Sequence, residues 1–94
     1  MKLLMIIVDT DCRAELEALL HRNDIVAYSE IPNAHGVGQS GARMGSRAHP
    51  KTSSIFFTVI DEHRVAELKE TIHSYCAACA KTMRMIQWSV EEIV

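Results

Sequence analysis

Residues 3–8 read Leu3-Leu4-Met5-Ile6-Ile7-Val8, and Asp9-Thr10-Asp11 closes the run at once. Six apolar residues rich in Ile and Val, ended by turn-forming acids, fit a β-strand that is apolar on both faces. The pattern returns further along the chain. Ser54-Ile55-Phe56-Phe57-Thr58-Val59-Ile60 is a second apolar run, closed by Asp61. A shift of 52 positions lays Asp9, Ala14, Glu15 and Leu16 on Asp61, Ala66, Glu67 and Leu68. Each strand is thus followed by a helix: Leu16, Leu19 and Leu20 at helical spacing in the first half, and a stripe of Val65, Leu68, Ile72, Tyr75, Cys76 and Cys79 in the second. Asp9, Thr10 and Asp11 supply an N-cap and negative charge to the first helix, and Asp61 caps the second.

Each half closes with a weaker strand, Ile25–Ile31 before Pro32 and Met83–Val90 near the end. Two βαβ halves make an α+β chain, the ferredoxin-like split βαβ (βαββαβ), with two helices on one face of a four-stranded antiparallel sheet. That topology places the two most apolar strands in the sheet centre. Two helices cover only one sheet face, so the apolar set Leu3, Met5, Ile7, Ile55, Phe57 and Val59 needs a second cover. A copy of the same chain is the economical one, and the expectation is an obligate homo-oligomer.

Size and charge narrow the function. Residues 1–94 make a single domain, 48% hydrophobic and 23% charged, within the ordinary globular range. A net charge of −2 argues against nucleic acid as a partner. No apolar run approaches the roughly 20 residues of a membrane helix, so no direct membrane insertion is expected. Leu3–Val8 is too short for a signal-peptide core, and with three cysteines the expectation is a cytoplasmic chain with reduced thiols.

Between the halves, residues 33–52 read NAHGVGQSGARMGSRAHPKT and show no periodicity. The stretch contains all four glycines, together with Arg43, Arg47 and Lys51 and no carboxylate. A long loop of this kind in a small domain is usually functional. Its glycines let backbone N–H groups approach a ligand, and arginine offers a planar fork to phosphate or carboxylate. The loop reads as an anion site. Gly36-Val37-Gly38-Gln39-Ser40-Gly41 spells GxGxxG, but no apolar helix opens after it, which excludes a dinucleotide-binding turn.

A ferredoxin-like repeat with a long Gly-rich loop between its second and third strands resembles the PII signalling family. Gly36, Gly38, Gln39 and Gly41 look like that family's loop-base pattern of spaced glycines and a glutamine. The resemblance implies a homotrimeric regulator, concerned with nitrogen regulation, that binds an adenine nucleotide (ATP, ADP or AMP) at subunit clefts. It also implies that the 33–52 loop, the family's T-loop, docks on a protein target such as a transporter or an enzyme. Effector contacts would come from Gly36, Gly38, Gln39, Gly41, Arg43, Arg47 and His49. The chain departs from the family in three ways. Ala80-Lys81-Thr82 is too short for a second phosphate loop, the long loop has no tyrosine, and the family's basic C-terminal extension is not expected here.

The same outline is shared by trimeric CutA-like proteins, associated with divalent-metal tolerance. Under that alternative His73, Cys76 and Cys79 would hold copper or zinc, with a fourth ligand from elsewhere. The other reading of Cys76-Ala77-Ala78-Cys79 is buried core cysteine near a helix C-terminus. Cys12, in the first turn of the first helix, is the most reactive thiol candidate. No nucleophile, base and orienting group recur at a recognisable spacing, so no enzymatic activity is expected.

Overall fold

The computed structural model describes residues 1–39 and 41–94; Ser40, within the GVGQSG run, lies outside the described residues. The chain begins with β1 (Lys2–Asp9), a single 3-10 turn (Thr10–Cys12) and α1 (Arg13–Arg22). An edge strand β2 (Ser29–Ala34) leads into two short strands, β3 (Gly36–Gly38) and β4 (Gly41–Arg43). The second half repeats the plan with β5 (Ser53–Ile60), α2 (Glu62–Tyr75), a short α3 (Ala77–Ala80) and β6 (Arg84–Ser89). The main sheet has the order β2-β5-β1-β6 with antiparallel pairing throughout, so the two apolar strands are central as expected.

The pleat sorts the two faces. Leu4, Ile6 and Val8 of β1 and Phe56 and Ile60 of β5 are buried beneath the helices. There they meet Leu16, Leu19 and Leu20 of α1 and Val65, Leu68 and Ile72 of α2. The alternate residues build the other face in rows of register partners: Val59–Leu3–Trp88, then Phe57–Met5–Ile86, then Ile55–Ile7–Arg84. Among the described residues, both long helices pack on the opposite face. Trp88 remains 42% exposed, Val59 39% and Ile86 38%, three large apolar side chains in one patch.

Four expectations are corrected. The strand after α1 does not begin at Ile25. Asp24 takes a left-handed φ of 59° and drops Ile25 into the core, where its N–H donates to the Leu20 carbonyl. Pro32 does not stop β2, because an edge strand tolerates a missing N–H; a register shift between Ile31 and Ala34 absorbs it. The long helical stripe breaks at Cys76, with φ −143°, so Tyr75 turns out to solvent and Cys79 belongs to α3. Residues 33–52 are not structureless: β3 and β4 pair as a hairpin, and 44–51 fold into a tight turn closed by Met44, Gly45 and Ser46 N–H donors.

The cysteines also differ from expectation. Cys12 and Cys79 form a disulfide, with Cα atoms 5.9 Å apart, which is ordinary disulfide spacing. The break at Cys76 makes this possible, since it turns Cys79 from the α2 stripe toward the start of α1. Cys76 keeps its thiol and packs half-buried against the core.

Candidate anion cleft at the loop base

The Gly-rich hairpin follows β2, whose Asn33 is left-handed with φ 56°. Its register is Gly36–Arg43, Val37–Ala42 and Gly38–Gly41. Gly41 has φ +110°, a backbone that L side chains rarely adopt, so a side chain there would strain the turn. Gly45 is held as tightly, because a Cβ would meet the His35 ring and the Thr52 methyl at 3.1 Å. Gly36 and Gly38 differ: a Cβ on either would meet nothing within 4 Å. They line open space.

That space is a cleft of about 240 Å³ between the hairpin and one end of the open sheet face. Gly36, Gly38, Gly41 and Arg43 line it from the loop side, with His35, and Ile7, Ile55 and Arg84 line it from the sheet. The cleft therefore joins hairpin glycines and two arginines, the residue types that recognise phosphate or carboxylate. A larger cleft of about 350 Å³ lies between α2 and β6. Its floor is Leu4, Ile72 and Met85, with Lys69 and His73 beside them, and none of the described residues of 33–52 lines it. The loop-base cleft has the chemistry of an anion site; the larger one does not.

One buried carboxylate ties the loop to the body. Asp9, at the end of β1, is 6% exposed, and its Oδ1 accepts from the Asp11 N–H at 3.0 Å, the N-cap contact read from the sequence. Its Oδ2 accepts from Arg43 Nη2 at 3.3 Å and lies 3.6 Å from Lys51 Nζ. Burial raises its pKa, but the Asp11 N–H and the Lys51 and Arg43 charges outweigh burial and hold it below the ordinary value of 3.8. A second clasp lies next to it: the Thr10 N–H donates to the Thr52 carbonyl, and the two threonine hydroxyls share a 2.8 Å hydrogen bond. The hairpin and its turn are anchored at both ends.

The expected effector residues thus divide. Gly36, Gly38, Gly41 and Arg43 come together, whereas Gln39, Arg47 and His49 do not line the cleft. Arg84 was missed; its signal was an arginine between Met83 and Met85 in an apolar strand. The set His73, Cys76 and Cys79 does not assemble, since Cys79 is spent in the disulfide. Among the described residues, no three His, Cys, Asp or Glu side chains gather as metal ligands.

The split βαβ fold of this chain is that of a solved nitrogen regulatory PII-like protein. The chain is similar to CPII, a PII-like protein from Thiomonas intermedia K12, solved with ADP, AMP and bicarbonate (TM-score 0.72, 21% identity over 95% of this chain and 86% of that one). It is also similar to CPII with ADP and bicarbonate (TM-score 0.71, 21% identity, 95% and 86%) and to its apo form (TM-score 0.69, 17% identity, 93% and 85%). At these identities the likeness is one of fold. No family model and no curated protein matches the chain.

Proposed function

We propose that this chain is a non-enzymatic, PII-like regulator that works as a homotrimer in the cytoplasm. It binds a small anionic effector, an adenine nucleotide, in clefts completed between subunits, and it signals to a protein target through residues 33–52. The observation that carries this reading is the meeting of Gly36, Gly38, Gly41, Arg43 and Arg84 in one cleft at the loop base. The ligands of the CPII structures, ADP, AMP and bicarbonate, are all anions and support the same ligand class.

The open sheet face supports the assembly. Ile7, Ile55 and Arg84 belong both to that face and to the cleft, so a copy packed on the face walls the cleft from a second side. In this scheme the glycines and both arginines hold the effector, while Gln39, Arg47 and His49 face the target. Effector binding at Arg43 changes how the hairpin sits on Asp9, and the target reads that change, a switch in a loop segment.

A thermal-shift panel tests the reading, with ATP, ADP, AMP, phosphate, bicarbonate, zinc and copper(I). A ligand at 100 times its Kd stabilises the native state by about 2.7 kcal/mol, several degrees for a domain of this size. The expected result is a shift with at least one nucleotide that is lost in Arg43→Ala and Arg84→Ala. A shift with metals alone, or none, contradicts it.

A further inference from the structure

Asp9 has a use beyond capping, and the inference rests on the loop-base cleft being the effector site. Along β1, Asp9 follows Ile7 by two residues and shares its face of the sheet, and its register partner is Ser53. Ile7, Ser53 and Arg43 all line the cleft. The buried carboxylate therefore stands at the cleft's border, held in place by the Asp11 N–H and bonded to an arginine of the cleft lining. Lys51 adds its charge to the same oxygen from the solvent side.

The electrostatic consequence concerns specificity. Arg43 and Arg84 supply the cleft's positive charge, and Asp9 offsets part of it at fixed position. An anion of low charge gains from the two guanidinium groups and meets Asp9 weakly. Each further negative charge on the ligand is repelled by the same buried carboxylate. With an effective dielectric near 20 and a separation of roughly 10 Å, the repulsion is on the order of tenfold in affinity per added charge.

We propose that Asp9 is the specificity-determining residue of this cleft, cancelling the preference for polyphosphates that Arg43 and Arg84 would otherwise give it, so that monophosphates bind about as tightly. Asp9 acts through Arg43 and through its own field rather than by holding the ligand. The sequence alone suggested only an N-cap at this position; the cleft geometry adds the second role.

Titration calorimetry with AMP, ADP and ATP in magnesium-free buffer varies ligand charge on a constant nucleoside. For the unaltered protein the expected affinities stay within about threefold across the series. In Asp9→Asn, ATP affinity rises at least tenfold more than AMP affinity. An unchanged ATP-to-AMP ratio in Asp9→Asn overturns the proposal, because a purely structural role lowers all three affinities together. If Asp9→Asn does not fold, the unaltered protein decides: ATP binding tenfold or more tighter than AMP overturns it. If none of the three binds the unaltered protein, the effector reading itself fails, a result distinct from an unchanged ratio.

Discussion

Reducing the Cys12–Cys79 disulfide tests the arrangement of the cysteines, the largest departure of this structure from what the sequence suggested. The bond joins residues 67 apart in sequence. Closing a loop of that length in the unfolded chain removes entropy worth about 4 kcal/mol at 25 °C, stability that the oxidised protein keeps and the reduced one loses. A domain of this size unfolds with an entropy of about 0.2 kcal/mol per kelvin, so the expected fall in Tm is about 20 °C. Scanning calorimetry with and without a phosphine reductant measures it. Cys12→Ser should reproduce the loss, and Cys76→Ser, which keeps the bond, should change Tm by only a few degrees. Two results would refute the reasoning: a Tm that reductant leaves in place, or three thiols titrating in the native, unreduced protein.

Three more outcomes follow from the same contacts. Asp9 and Glu30 have folded pKa values below their ordinary ones, Asp9 with burial outweighed by Asp11, Lys51 and Arg43, and Glu30 through its hydrogen bond from Arg13. Their stabilisation is complete above the ordinary values of 3.8 and 4.5 and is lost as pH falls through the lowered folded ones, so Tm should hold from pH 7 to about 5 and drop below 4, less steeply in Asp9→Asn. Phe57→Glu puts a charge in the middle of the open sheet face and should convert the protein from an oligomer to a species of 10.5 kDa in sedimentation velocity; an unaltered protein that already sediments as a monomer contradicts the assembly. Gly41→Ala, forced into φ +110°, should cost about 1–3 kcal/mol of local hairpin stability and weaken nucleotide binding severalfold, read by calorimetric titration.

Most of the fold was legible because its determinants are local and repeated. The apolar runs of β1 and β5, the acids closing them and the stripes at Leu16 and Leu68 each point to one element, and the repeat orders them. What escaped depends on tertiary contact. Ile25 looks like a strand residue until Asp24 turns it inward, and Pro32 looks like a stop until β2 proves to be an edge. Cys79 continues the α2 stripe on a helical wheel, yet the break at Cys76 carries it across to Cys12.

The site was legible in part for the same reason. All four glycines gathered in one loop with Arg43 and Arg47 announce an anion site, and Gly36, Gly38, Gly41 and Arg43 do share a cleft. Arg84 lies more than forty residues away in sequence, and only the pairing of β6 with β1, opposite Ile7, brings it there. Arg47 and His49 have the right chemistry, but the 44–51 turn holds them outside.

The most direct test of the central claim is amide chemical-shift mapping on isotope-labelled protein titrated with AMP and ADP. The account predicts the largest, saturable shifts at the Gly36, Gly38 and Gly41 amides and at Arg43 and Arg84. Shifts confined to the α2–β6 cleft around His73 and Met85, or no saturable shifts at all, would contradict it.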